Sequence, residues 1–133
     1  MFNVYFSQIE QPVDVNLAQK DLGILKRTLE LLVSVENWDK NYQGHCIYGE
    51  KLNLYCALAL AAKEKTGGFD GSAPYRHFLL KLIHNKYPKR YRYRSFINSN
   101  NKDPLLSFNN HPKTIHKDVV DILNQAIAQM EST

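Results

Sequence analysis

The stretch TIHKDVVDILNQAIAQM, residues 114–130, decides the fold class of this sequence. Its apolar side chains recur at helical spacing, with charged and amide side chains between them. This pattern predicts an amphipathic helix that Thr114 caps, and the carboxylates of Asp118 and Asp121 suit the positive end of the helix dipole. The apolar stripe consists of Ile115, Val119, Ile122, Leu123, Ala126, Ile127 and Met130.

Two further helices are predicted in the first half of the chain. Apolar residues at helical spacing indicate one over about residues 17–36. The second begins at Asn53, a good N-cap, and continues toward the stop signal Thr-Gly-Gly at 66–68. Its start, LYCALALAA at 54–62, is apolar on several sides, which favours a central position in the fold.

A third predicted helix begins after Ser72, which we expect to be its cap, with Pro74 in the first turn. It ends before Pro88, because a residue that precedes proline disfavours helical geometry. The apolar faces of all four helices are expected to share one core. The residues predicted for it are Leu25, Leu29, Leu58, Phe78, Leu82, Val119, Leu123 and Ile127.

The predicted fold is therefore a mainly α, compact bundle of about four helices, in a single globular domain over residues 1–133. Alternating apolar residues near the N-terminus, Phe2, Val4 and Phe6, predict a short strand. The glycine-containing segment 39–50 is interpreted as a loop or a small hairpin. Residues 91–97 are a candidate for another short strand.

Composition excludes some classes of protein. The longest apolar run is far shorter than the roughly 20 residues that span a bilayer, so we expect no membrane insertion. The first residues lack the basic and apolar regions of a secretory signal peptide. Cys46 and Cys56 form no CxxC pair and no disulfide-dense pattern, which favours a reducing compartment. We therefore expect a cytoplasmic protein.

Positive charge is concentrated in one segment, KYPKRYRYR at 86–94. Five of the 17 lysines and arginines lie there without any acid, and the 13 acids of the chain balance the others. Cations interleaved with tyrosines can neutralise phosphates and stack on bases, or bind an acidic protein surface. The residues predicted to contact a partner are Lys86, Lys89, Arg90, Arg92 and Arg94, with the three arginines accessible to solvent.

A cysteine hydrolase is one alternative. Cys56 lies near a predicted helix N-terminus, which lowers a thiol pKa, and His111 or His116 could serve as its base. Asn109 or Asp118 would orient that base. Cys46 is a second candidate nucleophile, with Gln43 as an oxyanion donor. Against both, a cysteine among apolar helix residues is usually inert, so we expect Cys56 to be buried and unreactive and Cys46 to react faster.

A metal site is a weaker alternative. Cys46, Cys56, His111 and His116 are residue types that bind zinc, but their spacing is not that of a zinc finger or ribbon. His77 and His84 share a helix face without a carboxylate between them. Phosphate loops and dinucleotide fingerprints do not occur in the sequence. No metal and no cofactor are predicted.

Three short motifs resemble a known family. Trp38, the run LYCALAL at 54–60 and the sequence Phe-Asn-Asn at 108–110 before the last helix are similar to an uncharacterised bacterial domain family. That family has a tryptophan, then Cys-Ala-Leu-Gly-Ala-Leu, then an aromatic-Asn-Asp before a threonine-capped helix. Ala59 stands at the glycine position and Asn110 at the aspartate position. The resemblance, over about residues 22–127, implies a helical bacterial domain and no particular substrate.

The sequence as a whole favours a small non-enzymatic protein-interaction module, such as an adaptor, an inhibitor or an effector-like domain. Its expected partner is a protein with an acidic surface, because one basic segment stands out from a chain that is otherwise balanced in charge. A nucleic-acid-binding protein that uses residues 86–94 is the first alternative. The cysteine hydrolase with Cys56 is the second.

Overall fold

The computed structural model describes residues 15–40, 46–92 and 103–132, and this part of the chain is a mainly α, compact bundle, as predicted. Beside the α-helices it contains one short 3-10 turn and an isolated bridge between Trp38 and Leu52. The helices are α1 (Val15–Leu32), α2 (Leu54–Thr66), α3 (Pro74–Lys86), α4 (Pro88–Tyr91), α5 (Pro104–Asn110) and α6 (His116–Glu131), and the 3-10 turn is Val35–Asn37.

The predicted strands fall mostly outside the described residues. Residues 2–6 do so entirely, and the candidate strand at 91–97 does so from residue 93. Its first residue, Tyr91, is the last residue of helix α4. The described residues contain no β-strand, and the described part of the 39–50 segment is irregular.

The predicted core is confirmed. Helix α1 packs on α2 and α6, while α3 packs on α4 and α6, and α5 lies against α2 and α4. Leu25, Leu58, Val119 and Leu123 are fully buried where these helices meet. The other predicted core residues, Leu29, Phe78, Leu82 and Ile127, also belong to the same apolar cluster, three of them half-buried at its edge.

The predicted helix caps are confirmed for α2, whereas the caps predicted for α3 and α6 are wrong. The side chain of Asn53 caps α2 by accepting a 2.7 Å hydrogen bond from the amide of Cys56. Gly67 ends α2 in the left-handed conformation, with φ 87°. Ser72 was expected to cap α3, but Ala73 is the residue that precedes this helix. The amide and hydroxyl of Ser72 both donate hydrogen bonds to the Asp70 carboxylate instead.

Thr114 is likewise not the cap of α6. It is buried, and Ile115 is the residue that precedes the helix. The carboxylate of Asp118 accepts a hydrogen bond from the amide of Ile115, so the acidic residue in the first turn stabilises the helix end.

Two short helices, α4 and α5, were not predicted. Pro88 occupies the first turn of α4, and Pro104 does the same in α5. Asp103 caps α5 by accepting a 2.9 Å hydrogen bond from the amide of Leu105. None of the helices in the described part of the chain is long and apolar enough to cross a membrane.

Candidate functional site

The two cysteines form a disulfide bond between Cys46 and Cys56, which are separated by 10 residues in the sequence. Cys56 is buried, as predicted, but the expectation of two free thiols is wrong. Neither sulfur is a nucleophile in this state, so the hydrolase with Cys56 or Cys46 and the faster reaction of Cys46 are both contradicted. Because the two cysteines are bonded to each other, they no longer support a reducing compartment.

The histidines of the alternative sites have structural contacts of their own. The Nε2 atom of His116 lies 2.6 Å from the carbonyl oxygen of Leu32, which joins the start of α6 to the end of α1. The amide of Lys113 donates a 3.0 Å hydrogen bond to Nδ1 of His111. Throughout residues 15–40, 46–92 and 103–132, no three His, Cys, Asp or Glu side chains are grouped as metal ligands.

Asn109 joins the three motifs that carry the family resemblance. Its side-chain oxygen accepts hydrogen bonds from the indole nitrogen of Trp38, at 2.7 Å, and from the amide of Leu54, at 3.0 Å. Its amide nitrogen donates to the carbonyl oxygens of Asp39 and Lys40. Asn109 is fully buried, so these motifs support the fold rather than present a reactive group.

The basic segment divides into exposed and packed residues. Arg92 is exposed, as predicted, and so are Lys86 and Lys89, whereas Arg94 lies outside the described residues. Arg90 is the exception, because its side chain is only 18% exposed and forms a 2.9 Å ion pair with Asp118. Arg90 lies on a helix, because residues 88–91 form α4.

Arg90 is held from two sides. Its Nη1 atom donates to Asp118 and, at 3.4 Å, to the hydroxyl of Thr114. Its guanidinium carbon lies 4.3 Å from the centre of the Tyr87 ring, which in turn stacks on Phe108. The ion pair with Asp118 therefore joins α4 to the start of α6. The contact with the Tyr87 ring adds a cation–π interaction.

A pocket of about 370 Å³ opens between α4 and the turn that precedes α6. Two segments of the chain meet there and bring several positive charges together. The side chains that line it are Tyr87, Pro88, Lys89, Arg90, His111 and Lys113. His111 and Lys113 were not predicted as part of this surface, because only the packing of α4 against α5 places them beside residues 87–90.

The charges around the pocket act on His111. Burial and the positive charges of Arg90, Lys113 and Lys40 lower the pKa of its imidazole below the ordinary value. Lys40 also donates a 2.8 Å hydrogen bond to the carbonyl oxygen of Pro112, next to His111 in the sequence. This corner of the molecule thus favours negative over positive ligands.

A second cavity, of about 580 Å³, has two acidic residues among those that line it. It lies between α1, the end of α2 and the start of α3, and Asp21, Asp70 and Tyr75 are among its lining residues. Burial and the nearby Asp70 carboxylate raise the pKa of Asp21. The hydroxyl of Tyr75 accepts a 3.0 Å hydrogen bond from the Asp70 amide, which ties the loop after α2 to α3.

No family model matches the chain, and no curated protein and no solved structure matches it significantly. The resemblance to a bacterial domain family therefore stays a prediction.

Proposed function

We propose that this protein is a small non-enzymatic interaction module that binds an acidic protein surface. The contact would be made by a basic surface, defined here as Lys86, Lys89, Arg92 and Lys113. The observation that carries the proposal is that Lys89 and Lys113 line one pocket, with the exposed Lys86 and Arg92 close to Lys89 in the sequence. No acid of the described residues forms an ion pair with any of these four cations.

The acids near the basic surface are already engaged. Asp118 binds Arg90, and Asp121 accepts a 2.7 Å ion pair from Lys117. Within the part of the chain that the structure describes, no carboxylate is therefore paired with the exposed lysines of this surface and would compete with one from a partner. Because surface pairs are individually weak, several must form together to give useful affinity.

The aromatic residues favour a protein partner over nucleic acid. Binding to single-stranded nucleic acid depends on aromatic faces on which bases can stack. Tyr87 is covered by Phe108 on one side and by Arg90 on the other, and the Tyr91 ring packs edge-on against His84 at 5.0 Å. These two tyrosines serve internal packing, so the described part of the basic segment offers mainly charge to a partner.

Two expectations from the sequence stay predictions within this proposal. They are a bacterial origin and a cytoplasmic location. The location no longer has the support of two reduced cysteines, since Cys46 and Cys56 are bonded to each other. Alkylation of free thiols in intact cells, followed by reduction and a second label, would report whether this bond exists where the protein works.

A peptide of alternating glutamate and serine, labelled with a fluorophore, provides the direct test of binding. Its affinity is measured by fluorescence anisotropy for the wild type and for a triple variant, Lys86→Gln, Lys89→Gln and Arg92→Gln. Because each exposed charge pair contributes roughly 0.2 to 1 kcal/mol, we expect the variant to bind roughly tenfold more weakly. Glutamine keeps the helix propensity of the positions it replaces.

The matched control removes three exposed lysines elsewhere, Lys63→Gln, Lys65→Gln and Lys81→Gln. This control variant has the same net charge as the first variant. If both variants bind the peptide equally weakly, the loss of affinity is due to overall charge, and the proposal is contradicted. A single-stranded RNA of equal charge forms the other arm. If RNA binds more tightly than the peptide and only the first variant loses it, the nucleic-acid alternative replaces the proposed function.

A further inference from the structure

The pocket beside α4 contains an arginine that is already fixed in position. Asp118 and Thr114 hold Nη1 of Arg90, and no described residue accepts a hydrogen bond from its Nε or Nη2. The guanidinium also lies over the Tyr87 ring, which limits its movement. An arginine held in this way loses little conformational entropy when it binds a planar anion such as a carboxylate.

His111 lines the same pocket. Because its Nδ1 accepts a hydrogen bond from the Lys113 amide, the neutral imidazole carries its proton on Nε2. Protonation of the ring would require this local hydrogen bond to give way and would add a positive charge to the pocket. Among the side chains that line the pocket, His111 is the one whose ordinary pKa lies nearest the physiological range of pH.

The charge of the pocket suits an anionic group. Lys89, Arg90 and Lys113 contribute positive charge, and Asp118 offsets that of Arg90. At about 370 Å³, the pocket is near the lower end of small-molecule sites.

We propose that this pocket binds one side-chain carboxylate of the acidic protein partner, and that protonation of His111 strengthens the binding. Lys89 and Lys113 would provide the main attraction, and Arg90, whose charge Asp118 offsets, would provide hydrogen-bond donors. The inference rests on the proposed function, because the carboxylate belongs to the partner described there.

The direction of the pH effect follows from the charges that face His111. They include Arg90 from α4, Lys113 from its own turn and Lys40 from the segment after Trp38, and together with burial they lower the pKa of its imidazole in the free protein. A bound carboxylate favours the charged ring, so the pKa of His111 is higher in the complex. Binding takes up a proton and strengthens as the pH falls from above the pKa of the complex to below that of the free protein.

The probe is a Gly/Ser peptide with one central glutamate and blocked ends, titrated by NMR into the whole protein. A peptide with glutamine in that position is the neutral control. We expect the glutamate peptide alone to shift the signals of Arg90, His111 and Lys113. Affinity should rise about two- to fivefold between about pH 7.5 and about pH 5.5, the range expected for one exposed charge pair.

Two variants test the assignment. Lys113→Gln should weaken binding at every pH, and His111→Asn should remove the pH dependence. Asparagine can still accept the Lys113 amide, so the turn is preserved. His84→Asn is the control, because His84 packs on Tyr91 and could raise the local charge on protonation. Loss of the pH dependence in His84→Asn, rather than in His111→Asn, overturns the role of His111.

The remaining outcomes separate the two proposals. If Lys86→Gln with Lys89→Gln and Arg92→Gln weakens binding to the acidic peptide while Lys113→Gln does not, the pocket is wrongly assigned and the proposed function stands. If neither variant weakens it, both fail. Free acetate is the last arm: binding as tight as that of the glutamate peptide would identify a small carboxylic acid as the ligand and overturn the assignment to a protein side chain.

Discussion

The indole nitrogen of Trp38 donates a 2.7 Å hydrogen bond to the side-chain oxygen of Asn109, 71 residues further along the chain. The same oxygen accepts the amide of Leu54, the first residue of α2. One buried amide group thus connects the segment after α1 with the N-terminus of α2 and the end of α5. This connection explains why a tryptophan, an apolar helix start and an asparagine occur together in the sequence.

Replacing Asn109 should therefore destabilise the whole domain. Asn109→Ala leaves the Trp38 indole and the Leu54 amide without an acceptor, and each buried unsatisfied group costs about 1 to 3 kcal/mol. Asn109→Asp keeps an acceptor but turns a carboxylate toward the carbonyl oxygens of Asp39 and Lys40. Both variants should lose more than about 2 kcal/mol in chemical denaturation.

Asn124→Ala, on the exposed face of α6, is the control for this experiment and should change stability by less than about 0.5 kcal/mol. If Asn109→Ala unfolds at the same denaturant concentration as the control, the proposed role of Asn109 in the fold is incorrect.

Arg90 and Arg92 should respond differently to the same substitution, although both belong to the basic segment. Arg90→Ser removes a largely buried ion pair with Asp118 and the cation over Tyr87, which should cost about 1 to 3 kcal/mol. Arg92→Ser removes an exposed side chain and should cost about 0.5 kcal/mol or less. Equal unfolding midpoints for the two variants in urea would contradict the packed position of Arg90.

The helices that the sequence predicts well are those with a solvent-facing side. Helices α1 and α6 alternate between buried and exposed positions, so their apolar residues recur with helical spacing. Helix α5 has seven residues, and those from Leu105 to Asn110 are all buried. Without a solvent-exposed face, its apolar residues show no helical spacing in the sequence. The pair Asp103-Pro104 is the signal that was missed, since it is a cap followed by a first-turn proline.

The candidate site depends on contacts that the sequence does not specify. Arg90 is recognised as basic from the sequence, but its partner Asp118 lies 28 residues away on α6. Cys46 and Cys56 follow no recognisable disulfide pattern, and only the packing of the 46–52 segment on α2 brings them together. Lys113 and His111 reach the basic segment in the same way, through tertiary structure alone.

The disulfide should stabilise the folded protein measurably. It closes a loop with a sequence separation of 10, for which the lost entropy of the unfolded chain corresponds to about 2 to 3 kcal/mol. Reduction with dithiothreitol should lower the free energy of unfolding by that amount. The double variant Cys46→Ser with Cys56→Ser should resemble the reduced wild type.

Thiol labelling provides the complementary measurement for the disulfide. The native, unreduced protein should take up no iodoacetamide, and its mass should increase by two labels only after reduction. Labelling of Cys46 without reductant would show that the bond is absent and would restore a free thiol to consideration.

The free energy of unfolding should decrease as the pH is lowered, because His111 titrates differently in the folded and unfolded states. Burial and neighbouring cations lower its pKa in the folded state, so the unfolded chain binds a proton first as the pH falls. This destabilisation is absent well above the ordinary pKa of about 6.5 and develops as the pH falls through it toward the folded value. Between about pH 7.5 and about pH 5.5, His111→Asn should lose less stability than the wild type in urea denaturation. An equal loss in both proteins would assign the effect to other groups.

The most direct test of the basic surface is an NMR map of the amide signals of the labelled protein as the glutamate–serine peptide is added. We predict that the largest shifts fall on Lys86, Lys89, Arg92 and Lys113 and that they diminish as salt is raised. Shifts centred on the cavity beside Asp21 and Asp70, on the exposed lysines of α2, or on no region at all would contradict the assignment of this surface as the binding site.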